Sequence, residues 1–132
     1  MDKIPTGTWV VVADGAHARL FTNVGTDREL SLRQDELIVQ DDLSGSGPGD
    51  VPNDPANLPD LGEAAFARRL AHSINGAALT QRFQHLVLVA DPQTLGRMRP
   101  LLHKETSARL VRELPKTLTN SPLPDIERAL LN

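Results

Sequence analysis

The chain contains no cysteine. Disulfides, thiolate nucleophiles and Cys-based zinc sites are therefore excluded. Aromatic residues are scarce: Trp9, Phe21, Phe66 and Phe83. A core must be assembled from Leu, Val, Ile and Ala. No apolar run approaches the ~20 residues of a membrane-spanning helix. The opening residues, Met1-Asp2-Lys3-Ile4-Pro5, lack the apolar stretch of a signal peptide. The expectation is a cytoplasmic protein without a membrane partner. No Gly-x-Ser-x-Gly elbow or other nucleophile–base motif is present. His17, His72, His85 and His103 show no metal-ligand spacing, and no cofactor is implied.

At 132 residues the chain is long enough for one domain with a real core, not for two. Its charge is unevenly spread. Residues 1–63 hold 4 Lys/Arg against 12 Asp/Glu, and residues 64–132 hold 10 against 5. Such a split either marks a face for an anionic partner or cancels across the folded surface.

The most informative stretch is residues 9–21. The run Val10-Val11-Val12 meets Asp14-Gly15, and a second alternating run follows at once. Asp-Gly between two such runs is a strong hairpin signal, because a type I′ turn needs positive φ at both central residues. The predicted strands are Thr8–Ala13 and about Ala16–Asn23. In the second, Ala18 and Leu20 lie on one side, with His17, Arg19 and Phe21 on the other. A third strand is predicted from about Glu29 to Val39. Its polar middle, Arg33-Gln34-Asp35-Glu36, calls for a bulge, an edge position or an early end.

Residues 40–57 carry three glycines and three prolines and read as an irregular loop. Ser44-Gly45-Ser46-Gly47-Pro48-Gly49 superficially suggests a phosphate cradle. It lacks the Gly-Lys-Ser/Thr ending of a P-loop, and Asp41, Asp42, Asp50 and Asp54 would repel phosphate. A helix is expected from near Asp60, with Asp60 and Glu63 in capping-box spacing. Phe66, Leu70 and Ile74 mark its buried face. Asn75-Gly76 either ends it or lets it run on through Leu79.

His85–Ala90 is a continuous apolar run, the pattern of a central strand covered on both faces. Asp91-Pro92 caps the next helix, with Leu95, Met98 and Leu102 inward and Pro100 bending it. His103, near a helix end, is accounted for by the helix dipole. Arg109–Leu114 is the last strand, and Ser121-Pro122 opens a final helix carrying Leu123, Ile126 and Leu130. The order βββαβαβα predicts a single α/β domain over residues 1–132. It has a mixed five-stranded sheet with flanking helices, in a ribonuclease H-like topology with the first and fourth strands central.

Several segments together resemble the bacterial family of host attachment proteins. They are Trp9-Val-Val-Val-Ala-Asp-Gly-Ala-His-Ala-Arg-Leu-Phe21, Ser44–Gly49, Phe66-Ala-Arg-Arg-Leu-Ala71, Leu86-Val-Leu-Val-Ala90 with Thr94-Leu-Gly96, and Lys116-Thr-Leu-Thr119. That family is similar to the middle domain of archaeal and eukaryotic peptide release factors. The resemblance implies a translation-related role with the ribosome or RNA as partner. Three departures stand against a full carry-over. No Gly-Gly-Gln, the tripeptide of peptidyl-tRNA hydrolysis, occurs here. The 40–57 loop is shorter than usual for the family, and Thr117 replaces an expected acidic residue.

Two sets of candidate site residues follow. Asp14, Glu63 and Asp91 fall where ribonuclease H-type nucleases carry the carboxylates of a two-metal centre. Each also has a structural explanation: a turn, a capping box and an N-cap. Arg68, Arg69, Arg97, Arg99, Lys104 and Lys116 could line one side and neutralise RNA phosphates. They are equally compatible with an ordinary solvated helix surface. The leading reading is a non-catalytic, RNA- or ribosome-associated module. Its alternatives are a metal-dependent nuclease and a protein-interaction module without nucleic acid. Oligomeric state is not encoded in any of these patterns.

Overall fold

Val10, Val12, Val87 and Val89 are wholly excluded from solvent, although they come from two segments far apart in the chain. They belong to two adjacent strands, β1 (Trp9–Ala13) and β4 (Leu86–Ala90), paired in parallel from Trp9↔Leu86 to Ala13↔Ala90. The computed structural model describes residues 4–26, 28–39 and 62–131. Its sheet contains β2 (His17–Asn23), β3 (Leu32–Val39) and β5 (Leu110–Pro115) as well, in the order β3-β2-β1-β4-β5. The pairs β1·β2 and β2·β3 are antiparallel, and β4·β5 is parallel. The first and fourth strands are thus both interior, as the apolar runs required.

Side-chain alternation divides the core into two layers. Val11, Ala13, Leu86, Leu88 and Ala90 face α1 (Glu63–Leu79) and α2 (Pro92–Met98), packing against Phe66, Leu70, Ile74, Leu95 and Met98. Val10, Val12, Phe21, Val87 and Val89 meet Ile126 and Leu130 of the last helix, Leu123–Leu131. Each large apolar side chain removed from water contributes about 1.5–3 kcal/mol. Two-sided covering by Leu, Val, Ile and Ala thus offsets the shortage of aromatics.

Several local expectations are corrected. The β1–β2 connection is not a type I′ turn. Among the described residues, positive φ occurs only at Gly7 and Gln81. Asp14 closes the turn with its own carboxylate, Oδ1 accepting from the amides of Ala16 (2.8 Å) and His17 (2.7 Å). That side-chain closure makes left-handed backbone unnecessary. Glycine at position 15 has a different cause: an added Cβ would stand 2.7 Å from Glu63 Cγ.

β3 starts at Leu32 because Thr26 captures the residues before it. Its Oγ1 accepts from the amides of Arg28 and Glu29, and its own amide donates to the Glu29 carbonyl. The polar middle of β3 forms both a bulge and an edge: Leu20 pairs with Glu36 and Phe21 with Gln34, leaving Asp35 extra. α1 begins at Glu63 with Gly62 as N-cap and no side-chain cap bond, so Glu63 is not the third residue of a capping box. Asp60 and the Gly/Pro-rich loop 40–57 lie outside the described residues.

α1 continues through Asn75-Gly76 to Leu79. α2 stops at Met98, and Pro100 sits in the 3-10 turn Arg99–Leu101 rather than bending a longer helix. A short α3, Lys104–Arg109, was not anticipated. It takes Arg109 from the predicted last strand, which starts at Leu110. His103 is its N-cap, accepting from the Glu105 amide through Nδ1 at 3.0 Å. The ring thus caps the start of α3 rather than facing a helix C-terminus. The helix Leu123–Leu131 is α4.

Candidate functional site

Parallel pairing of β1 and β4 brings Asp14 and Asp91 to the same edge of the sheet, directly after the paired residues Ala13 and Ala90. Open α/β sheets carry ligands outside the carboxyl ends of their strands. Glu63 reaches this edge as the first residue of α1, its side chain lying over Gly15. The sequence-predicted acidic trio therefore shares one end of the fold.

Each member is already committed. Asp14 holds its own turn through Oδ1, and its Oδ2 accepts from the Thr119 hydroxyl at 2.6 Å. Asp91 caps α2, accepting from the Thr94 amide at 3.1 Å, with Pro92 at the first helical position. Glu63 pairs with Arg97 at 3.1 Å. Among the described residues no group of three or more His, Asp and Glu side chains is arranged to hold a metal ion. The shared ion position that a two-metal nuclease needs is not formed by Asp14, Glu63 and Asp91.

Asp14 titrates below the usual carboxylate range. Burial pushes it up. The Thr119 hydroxyl, the Ala16 and His17 amides and the charge of His17 together outweigh that penalty. The same clasp extends to Arg19, whose Nη1 donates to the carbonyls of Thr119 (3.1 Å) and Ser121 (2.8 Å). Arg19 also lies 5.0 Å from the Phe21 ring centroid. Sequence reading missed this cluster. Arg19 and Thr119 stand 100 positions apart, so no local pattern could join them.

The basic candidates fall mostly in one helical layer. Arg68 and Arg69 lie on α1, Arg97 on α2, Arg99 on the 3-10 turn and Lys104 on α3. Lys116 follows β5. They are not equivalent. Arg97 is paired with Glu63, and Arg99 with Glu113 of β5 at 2.7 Å. Arg68, Lys104 and Lys116 are exposed and engage no carboxylate among the described residues. Arg69 is half-buried and has a partner within the fold. A partner phosphate would meet three available cations and two held by acids.

Strand order and edge geometry together define a mixed-sheet α/β module without an assembled acidic centre among its described residues. Residues 7–130 match the sequence model of bacterial archaeo-eukaryotic release factor family 12, and the chain belongs to that family. Among solved structures it is similar to S. cerevisiae Dom34, described as a translation termination-like factor involved in RNA quality control pathways and interacting with Hbs1. The match covers 98% of this chain and 34% of Dom34, at 11% identity and a TM-score of 0.48. The chain thus spans about a third of Dom34's length. Among curated proteins none matches the chain. No described helix is long and apolar enough to cross a membrane.

Proposed function

We propose that the chain is a non-catalytic, release-factor-like module that associates with the ribosome through RNA, acting in the cytoplasm. The observation that carries this reading is family membership across residues 7–130. Two features support it. The sequence contains no Gly-Gly-Gln, so the residues of peptide release are not those of this chain. Arg68, Arg69, Arg97, Arg99 and Lys104 share the layer formed by α1, α2 and α3, where phosphates would exchange bound counterions for side-chain cations. A link to host attachment would then be indirect, through protein synthesis.

The nuclease alternative draws no support from the edge geometry, because Asp14 and Asp91 are engaged in holding the fold and Glu63 is paired with Arg97. The test is ribosome co-sedimentation at low and high salt, comparing the native chain with the variant in which Arg68, Arg69, Arg97 and Arg99 are all Ala. Circular dichroism controls for folding. Salt-sensitive co-sedimentation of the native chain, weakened in the variant, is expected. A native chain that stays in the supernatant at low salt refutes the ribosome reading, and purified RNA then separates the RNA reading from the protein-interaction module.

A further inference from the structure

Away from the acidic edge, the described residues form a groove of about 600 Å3. Volumes of this order accept small ligands. Its floor is a row of residues in register across three strands, Trp9↔Thr22↔Arg33. Its wall is α1, through Leu70, Ser73 and Ile74. Arg82 stands at the rim, exposed and engaging no carboxylate among the described residues.

Trp9 is held between two groups. Its ring meets the buried Phe83 at 4.8 Å between centroids, tilted 35°. Over the ring the Arg82 guanidinium lies 5.7 Å from the indole centroid. Arg82 is set there by the end of α1: its amide donates to the Ala77 carbonyl (2.9 Å) and the Gln81 amide to Ala78 (3.0 Å). That pattern is a Schellman stop. It demands left-handed backbone at Gln81, φ 59°, a conformation that disfavours a side chain. Strain of this kind is retained where surrounding structure enforces a geometry.

The groove's acid is neutralised locally. Asp35, exposed through the bulge in β3, accepts from the Arg33 Nε (2.8 Å) and from the Thr22 hydroxyl. Burial raises its pKa. The Thr22 and Arg33 bonds and the Arg33 charge more than reverse this, so it stays ionised. Among the described lining residues the other cations are Arg82 at the rim and Arg19, whose guanidinium is bound to the Thr119 and Ser121 carbonyls.

We propose that this groove holds an unstacked base of single-stranded RNA, stacked on the Trp9–Arg82 pair with its phosphate against Arg82. This deepens the RNA reading above and rests on it. The planar Arg82 guanidinium, laid over the indole, presents its outer face as a stacking surface for a base. The Ser73 hydroxyl lines the groove, and the Thr22 hydroxyl, which donates to Asp35, keeps its oxygen as an acceptor for a base edge. A duplex keeps its bases stacked and cannot offer one to the groove.

Trp9 is the single tryptophan of the chain, so its fluorescence reports on the groove directly. The experiment titrates the full chain at low salt with a single-stranded RNA octamer, a hairpin-free duplex of the same sequence, the four mononucleotides and an acidic apolar octapeptide. Saturable quenching by the single strand is expected, with the duplex and mononucleotides at least tenfold weaker. Arg82→Ala should weaken binding several-fold and lower the salt slope by about 0.7. Trp9→Leu, read by anisotropy of a labelled octamer, should weaken it about tenfold or more. The variant with Arg68, Arg69, Arg97 and Arg99 changed to Ala should still be quenched.

Absence of quenching by the single strand overturns the proposal. So does equal quenching by duplex or mononucleotides, or a response to the peptide alone. Lost quenching with intact co-sedimentation would remove the groove while leaving the family-based reading in place. Intact quenching without co-sedimentation would do the reverse.

Discussion

Thr119 donates its hydroxyl to Asp14 across 2.6 Å, joining the β1–β2 turn to the segment that leads into α4. Thr119 is buried, and Arg19 grips the same segment through its backbone carbonyls. Asp14 is therefore a fastener of the sheet edge. Its depressed pKa reports hydrogen bonding to the ionised form rather than a poised acid.

Thr119→Val keeps the shape and removes the donor. Loss of a hydrogen bond to a charged acceptor should cost about 1.5–3 kcal/mol at neutral pH. The sign of the pH dependence follows from the lowered folded-state pKa. The clasp stabilises fully above the pKa of Asp14 in the unfolded chain, and that stability is lost as pH falls through the folded value. Denaturant melts should show the largest gap between native and variant at neutral pH, closing in acid. A gap that stays constant into acid would show that Thr119 acts by packing alone.

Gln81 occupies the position where a Schellman stop usually places glycine. A left-handed L-residue costs ~1–2 kcal/mol, while glycine costs ~0.5–1 kcal/mol through the freer unfolded chain. Gln81→Gly should therefore be neutral to stabilising, by up to about 1 kcal/mol. Thermal melting checks this. A clear loss of stability would mean that the Gln81 side chain contributes packing that outweighs its backbone cost.

Asp91 tests whether the acidic edge is structural. As an N-cap bonded to the Thr94 amide, its replacement by Ala should cost about 1 kcal/mol. Asp91→Asn or Asp91→Ser should recover most of that loss, because either side chain also caps. Chemical denaturation of the three variants gives the answer. An Asp91→Ala variant as stable as the native chain would detach this carboxylate from the fold and reopen a chemical role.

What the sequence revealed was local or periodic. Val10–Val12 and Leu86–Ala90 announced interior strands because both of their faces are covered, and Asp91-Pro92 announced a helix start because capping involves neighbours. Phe66, Leu70 and Ile74 named the buried face of α1 for the same reason. What stayed hidden depends on partners distant in the chain. The Asp14–Thr119 clasp spans 105 positions, and the Trp9↔Thr22↔Arg33 row needs a register that the bulge at Asp35 shifts. The turn at Asp14-Gly15 was misread because Asp-Gly fits two geometries. Here the aspartate side chain closes the loop, and the close approach of Glu63 explains the glycine. The six basic residues were identified by type, but the acidic partners of Arg97 and Arg99 come from other elements.

Those partners give the last prediction. Arg97 and Arg99 are held by Glu63 and Glu113. A phosphate recruited to either arginine must first displace a carboxylate. Exposed pairs of this kind are worth about 0–1 kcal/mol, so Glu63→Gln and Glu113→Gln should leave the fold nearly as stable as before. Both should tighten RNA or ribosome association at low salt, and each newly available cation should steepen the salt slope by about 0.7–0.9. Arg68→Ala, which breaks no pair among the described residues, should weaken association more than Arg97→Ala does. Filter binding or co-sedimentation across a salt series measures both effects. If the glutamine variants bind no more tightly than the native chain, Arg97 and Arg99 lie outside the contact surface. The interface then rests on Arg68, Arg69 and the lysines.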